Sequence, residues 1–531
     1  MTDWQDHLIV VPVVLPLIAA ATMLLLKEQR YGLKALISLL SLIALVGVAY
    51  TLLHQAAVGG PAGDDTARIY NLGAWSAPFG ITLVADRLST LMLALTATLA
   101  AGGLMFSYAR WDRAGPRFHA LYLLLVMGVN GAVLTGDLFN LFVFFEVMLA
   151  ASYGLLLHGS GEKRVRAGLG YVAINLTASL FFLIGVSLIY GVTGALNMAD
   201  IASKVASIPD PDRALFHIGC AILGVAFLVK AAAWPLGFWL PGAYAAASAP
   251  VAAVFAILSK VGVYVILRLA TLLFSADAGV SEGFGNTWLL AAGVATVVFG
   301  AAGMVSARRL EGAAGYAVMV SSGTVLAIAG TTVPQAVGGA LFYMSASTLA
   351  AGTLFLIAEI LARGEDAAAS PDDAVFDDEY DDPFAADDVH EVGRVLPAST
   401  AFLGGAFILA ALVTVSLPPL AGFAGKLSIF VALLSGDGAM SPASWTLIGV
   451  LTLSSFAALI ALTRFGVAGF WREDAVAPKV RSPEFLAIGG LVLCCLWLSA
   501  GAAAGLTYAE KTGEWLTSPK AYISAVLGDA E

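Results

Sequence analysis

Residues Ala226–Arg268 read AFLVKAAAWPLGFWLPGAYAAASAPVAAVFAILSKVGVYVILR, and this stretch decides the fold. Lys230 and Lys260 lie inside apolar runs, and Pro235, Pro241 and Pro250 fall between them. A lysine held at mid-bilayer costs about 2.5–3.5 kcal/mol on insertion scales. Interrupted backbone at that depth is tolerated only where protein or a water-filled cavity satisfies the freed groups. The two irregularities together predict a polar pathway through a membrane protein.

Composition agrees. The chain has 531 residues, of which 59% are hydrophobic and only 12% charged, against roughly 25% charged in a soluble domain. Mean hydropathy is +0.88, and many apolar runs come near the ~20 residues that span a bilayer. The class is an all-α polytopic membrane protein. A β-barrel would show alternating segments of about 10 residues, and there are none. The net charge of −10 is concentrated: twelve acids, from Glu365 to Glu391, fall between Gly364 and Gly393 with no Lys or Arg among them. That loop has the composition of a solvated segment rather than of a cation trap. The near-neutral remainder excludes nucleic acid as a partner. Cys220, Cys494 and Cys495 lie in apolar runs with no metal-ligand spacing.

In chain order, apolar runs predict about fourteen transmembrane helices. Helices one to three and a surface hairpin at Ala67–Leu83 occupy 1–115. The first run, near Leu8, lacks a basic leader and is expected to be a retained helix. Helix five is Leu138–His158, and Asn197–Ser207 is a weakly amphipathic linker. Helix seven, from about Arg213, breaks at Trp234-Pro235, with a short second half ending near Leu240. Helix eight starts at Pro250, a favourable first-turn position. After the acidic loop, the breaker Leu417–Gly422 divides helix twelve. Helix fourteen is Phe485–Leu506, and the tail with Trp515 and Lys520 is expected to be interfacial at most. Connections after odd-numbered helices hold 17 of the 27 basic residues and the opposite connections, Arg268 included, hold seven. The positive-inside rule then places both termini outside and the acidic loop in the cytoplasm.

The remaining basic residues are Lys230, Lys260 and Lys426. Glu146, near the middle of helix five, is expected to pair with Lys230, because an unpaired charge there would be neutral or water-linked. Making and breaking such a pair is the physical basis of a proton relay. Lys260 is too deep for snorkelling: either end of its helix is roughly 12–15 Å away by helical rise. Lys426 follows the double proline, where freed carbonyls or an ion site would hold it. Asp137 is read as complementing a helix N-terminus, and His217 as a packing residue rather than a proton carrier. Ser321, Ser322 and Thr324 in helix ten, with Ser345, Ser347 and Thr348 in helix eleven, can hold water between Lys260 and Lys426 or serve helix packing. No nucleotide, haem or iron–sulfur motif is present, so no cofactor is expected and the chain reads as a transporter part rather than an enzyme.

Four segments carry a resemblance. They are TGDLFNLFVFFE (Thr135–Glu146), Lys230 with Trp234-Pro235 and FWLP (Phe238–Pro241), LSKVGVY (Leu258–Tyr264), and PPLAGFAGK (Pro418–Lys426). In this order they resemble the proton-translocating antiporter-like subunits shared by respiratory complex I and the Mrp multisubunit cation/proton antiporters. The wording around Glu146 and WLPGAY (Trp239–Tyr244) is most similar to the D-type subunits of Mrp. The resemblance implies two inverted five-helix repeats, helices four to eight (116–273) and nine to thirteen (274–464), followed by 465–531. It also implies that Glu146 modulates Lys230, that Lys260 is the central relay and that Lys426 is the terminal switch. One departure stands out: many relatives carry His and Lys in the helix matching Met344–Leu356, which here has no ionisable residue.

The expected function is proton translocation within a multisubunit Na⁺/H⁺ antiporter of a bacterial cell membrane. Partners implied are the other membrane subunits of A, B, C, E, F and G type, together with protons, Na⁺ and the lipid bilayer. A pumping subunit of complex I or of a membrane hydrogenase is the alternative, and a non-transporting scaffold is the alternative of another class.

Overall fold

The computed structural model describes residues 4–59, 67–75, 77, 79–115, 117–331, 333–368, 397–435, 441–470 and 479–528. The acidic stretch from residue 369 on, with Arg394, lies outside the described residues, while its first residues, 364–368, continue a helix rather than a loop.

The elements in order are α1 (Val11–Leu25), α2 (Tyr31–Val58), β1 (Arg68–Asn71), β2 (Thr82–Ala85), α3 (Arg87–Ser107), α4 (Phe118–Leu134), α5 (Leu138–Leu156) and α6 (Glu162–Thr193). Then come α7 (Met198–Val205), α8 (Asp210–Lys230), α9 (Trp239–Ala246), α10 (Ala249–Leu273), α11 (Asn286–Ser306), α12 (Leu310–Ala329) and α13 (Gln335–Ala368). The last are α14 (Ala398–Val415), α15 (Ala421–Leu434), α16 (Pro442–Phe470), α17 (Ser482–Ala500), α18 (Ala502–Leu516) and α19 (Pro519–Leu527). Twelve of these helices are long and apolar enough to cross a membrane, while α1, α4 and α15 are shorter and apolar. With α14 and α15 counted as two halves of one span, the described helices make the fourteen that the sequence predicts.

Burial sorts the helices into two sets. α10 and α13 each have an apolar eighteen-residue stretch that is wholly buried, as a helix at the centre of a bundle must. Around them, α1, α2, α6, α8 and α17 turn large apolar side chains outward, among them Ile43, Leu169, Ile218 and Trp497. Exposed apolar faces of that extent need a lipid solvent. β1 and β2 pair antiparallel, but β2 is fully buried rather than lying on the surface as the hairpin was read. The second half of helix seven also differs: it is Trp239–Ala246, because Pro241 sits in a first helical turn, where a missing N–H costs nothing. Helix fourteen ends at Ala500, and a separate α18 follows.

The C-terminal segment is not merely interfacial. α18 packs on α13, and α19 packs on α7. Trp515 is buried and its Nε1 donates to Asp86 Oδ2 at 3.1 Å. Arg268, counted by sequence with the outer connections, is 5% exposed and holds Asp86 at 2.5 Å through Nη1 and at 2.8 Å through Nη2. Asp86 also caps α3 by accepting from the Ser89 N–H at 2.9 Å, and the Arg268 guanidinium lies over the Tyr264 and Tyr522 rings. One carboxylate thus ties together α3, α10 and α18, and the guanidinium that it holds reaches α19.

Candidate functional site

Two helix breaks frame the site, and they are built alike. In the first, Ala232 takes φ +55° and Trp234-Pro235 is cis; in the second, Ser416 takes φ +67° and Pro418-Pro419 is cis. In each, the proline ending the cis pair lies three residues after the positive-φ residue. The Ala233 N–H reaches back to Leu228 O at 2.9 Å, and the Leu417 N–H reaches back to Leu412 O at 3.1 Å, both five residues back. A hydroxyl from another helix meets each break: Thr296 Oγ1 accepts from the Trp234 N–H at 2.8 Å, and Ser499 Oγ accepts from the Ala421 N–H at 2.9 Å. Backbone freed at membrane depth is satisfied inside the protein. The lysines sit differently, Lys230 ending the helix before its break and Lys426 lying in the helix after its own.

Glu146 and Lys230 do not form the ion pair that the sequence suggested. The Glu146 carboxylate instead accepts a very short hydrogen bond from Ser179 Oγ on α6. Lys230 Nζ is buried with no hydrogen-bond partner, 5.0 Å from the centre of the Phe145 ring. α10 comes up against the end of α8 at Gly262, where a Cβ would lie 2.7 Å from the Ala231 nitrogen and 3.0 Å from the Lys230 carbonyl carbon. Only glycine permits that approach.

Lys260 is fully buried. Its Nζ donates to Val318 O at 2.8 Å and to Ser322 Oγ at 2.9 Å, both on α12. Ser322 Oγ lies 3.4 Å from Ser259 Oγ. Lys426 Nζ donates to Ser455 Oγ on α16 at 2.7 Å and lies 5.1 Å from the centre of the Tyr343 ring on α13. Among the described residues, none of the three lysines has a carboxylate within ion-pair distance.

The hydroxyls between Lys260 and Lys426 divide into two kinds. Ser322 reaches the ammonium, and Ser321 Oγ lies 2.7 Å from Ser347 Oγ, which joins α12 to α13. Ser347 and Tyr343 are four residues apart, hence on one face of α13, so that face meets Ser321 at one level and Lys426 at the next. Thr324, Ser345 and Thr348 turn back onto their own helices, donating to Val320 O, Leu341 O and Met344 O. Those three are packing hydroxyls, as the commoner use of such residues has it.

Asp137 Oδ1 accepts from the Asn140 N–H at 2.8 Å and caps α5, and His217 Nε2 lies 3.0 Å from Ser281 Oγ with its ring stacked on Phe284 at 4.2 Å. Neither shares a hydrogen-bond partner with Lys260 or Lys426. Sequence reasoning missed Ser179, Ser455 and Tyr343. A serine or tyrosine in an apolar helix gives no signal of which neighbour it faces.

The chain matches the family model of the NADH:quinone oxidoreductase and Mrp antiporter transmembrane region over residues 135–456. A probable K⁺/H⁺ antiporter D-type subunit of Rhizobium meliloti (strain 1021) is 48% identical over 533 residues, covering 99% of this chain and 98% of its own. A Na⁺/H⁺ antiporter D-type subunit of Alkalihalophilus pseudofirmus is 31% identical, covering 98% of this chain and 100% of its own. Among solved structures, a chain of the Mrp complex from Dietzia sp. DQ12-45-1b superposes with a TM-score of 0.82 at 24% identity, covering 99% of this chain and 100% of its own. A chain of respiratory complex I from Thermus thermophilus superposes at 0.74 and 22% identity, covering 96% and 99%. Family model, relatives and fold agree: the chain belongs to the family of membrane subunits shared by NADH:quinone oxidoreductase and the Mrp antiporters, and within it to the D type.

Proposed function

We propose that this protein carries the proton path of an alkali cation/proton antiporter. The observation that carries the reading is Lys260: an ammonium shut off from solvent, held by a carbonyl and a hydroxyl, with no counter-ion among the described residues. A buried charge without a partner is costly unless it can be neutralised. Retaining three such lysines fits groups that gain and lose protons. Consecutive helices α5, α6, α8, α10, α12, α13, α15 and α16 all touch, so the route runs Glu146, Lys230, Lys260, the hydroxyls Ser322, Ser321 and Ser347, and then Lys426. With no Glu146–Lys230 salt bridge in this structure, the pair acts through space or closes during turnover.

The partners in this reading are the other membrane subunits of such a complex, with both termini outside. The segments 116–273 and 274–464 would be two inverted repeats, flanked by 1–115 and 465–531. The metal ion is a proposal of its own. A K⁺/H⁺ name belongs to the relative at 48% identity and a Na⁺/H⁺ name to the one at 31%, which favours K⁺ over the Na⁺ that the sequence resemblance suggested.

The test uses the assembled complex in everted vesicles with Lys230→Ala and Glu146→Ala, reading K⁺- and Na⁺-driven proton movement separately. Loss of antiport with assembly intact is expected, with K⁺ the better substrate in the unaltered complex. Undiminished antiport in assembled variants would overturn the relay.

A further inference from the structure

The end of the bundle where α6 and α12 begin holds a cavity of about 1100 Å³. The start of α6 supplies Lys163, Arg164 and Arg166, and the α11–α12 turn supplies Arg308 and Arg309; Arg110 and Arg363 complete the basic lining. Against these seven bases stand three acids, Glu162, Glu311 and Glu359. The wall is built rather than incidental. Glu359 accepts from Trp111 Nε1 at 2.8 Å and from the Ala249 N–H at 3.2 Å, and it pairs with Arg110 at 3.1 Å. Arg110 and Arg164 both lie over the Trp111 ring, at 4.7 and 4.8 Å. Arg309 pairs with Glu311, and Arg363 with Glu484. Lys163, Arg166 and Arg308 make no ion pair among the described residues.

A cavity with excess positive charge and unused donors is made for a polyvalent oxyanion. It opens where helices end, and its lining includes the apolar run Ala245–Ala247 and the Phe355 ring. Basic pockets between transmembrane helices on the cytoplasmic side take up anionic lipid head groups. We infer that this cavity binds the phosphate group of an anionic phospholipid, with Lys163, Arg166 and Arg308 supplying the free charge. Free inorganic phosphate shares the chemistry, but it leaves most of the volume and all of the apolar lining unused.

The test is lipid retention, which does not depend on proton transport and so stands or falls apart from the relay. The intact complex, extracted from membranes and exchanged into phosphatidylcholine with or without phosphatidylglycerol, is assayed for bound phosphatidylglycerol by native mass spectrometry. The triple substitution Lys163→Gln, Arg166→Gln, Arg308→Gln is compared with the exposed control pair Lys27→Gln, Arg30→Gln. The inference expects affinity for phosphatidylglycerol to fall about tenfold to a hundredfold in the triple variant and to stay unchanged in the control. Equal retention in all variants overturns the inference. Displacement of the lipid only at high inorganic phosphate supports it, whereas phosphate bound in preference to phosphatidylglycerol overturns the lipid reading. Loss of a neighbouring protein from the triple variant, with lipid retained, would assign the cavity to a protein contact and also overturn it.

Discussion

Replacing Arg268 with leucine probes the joint between the helix that carries Lys260 and the C-terminal segment. The guanidinium gives Asp86 two charge-assisted hydrogen bonds, and both side chains are almost fully buried, 5% and 1% exposed. Removing one partner of such a pair strands the other charge, at a cost of about 3–5 kcal/mol. The carboxylate would retain only the Ser89 N–H and Trp515 Nε1. Adding Asp86→Asn removes the stranded charge and keeps an N-cap of nearly equal quality. The double variant should therefore recover roughly 2 kcal/mol or more of the loss. SDS-induced unfolding of the purified complex gives the comparison. An Arg268→Leu cost under about 1 kcal/mol, or a double variant no more stable than the single, would refute the assignment of the pair as a buried clamp.

Other outcomes follow from named contacts. Ser455→Ala removes the hydrogen bond that Lys426 makes at 2.7 Å and should slow antiport about tenfold or more, whereas Thr324→Ala, which loses only a bond to its own helix, should stay within about twofold; vesicle antiport rates decide. Gly425→Ala places a Cβ 2.8 Å from the Tyr343 backbone and should cost about 1–3 kcal/mol by overpacking, seen as reduced complex yield, while Gly405→Ala, with open space around it, should change nothing. His158, beyond the end of α5, has its affinity for protons lowered by burial, partly offset by the Trp111 carbonyl. Its neutral form is favoured on folding, so that contribution is present above the ordinary value near about 6.5 and is lost as pH falls through the lowered folded value. His158→Gln should therefore flatten the loss of thermal stability on acidification below about pH 6.5.

How far the sequence reveals this molecule depends on what each feature needs. Apolar length and proline position are local, so the spans and both breaks could be read from one strand of text. The extent of α9 could not, because Pro241 ends one pattern and opens another equally well. Pairing is not local. Glu146 was matched to Lys230 among three buried lysines, yet the hydroxyl that holds it comes from Ser179 on the next helix, and the Lys230 ammonium lies over the Phe145 ring. Arg268 read as an interfacial base because it follows an apolar run; its partner lies 182 residues away. The uncharged gap after Lys260 was legible as a gap. That Ser321 and Ser347 hydrogen-bond to each other between α12 and α13, while Thr324, Ser345 and Thr348 turn back onto their own helices, is set by helix rotation alone.

The most direct test of the proton path is Lys260→Met in the assembled complex, an apolar side chain of similar length that cannot take up a proton. Proton flux and cation flux are measured together in proteoliposomes at equal amounts of complex. The account predicts that proton flux falls at least about a hundredfold, the scale of losing a group that acts in every transfer, and that cation exchange falls with it. Proton flux within about twofold of the unaltered complex, with assembly intact, would contradict it.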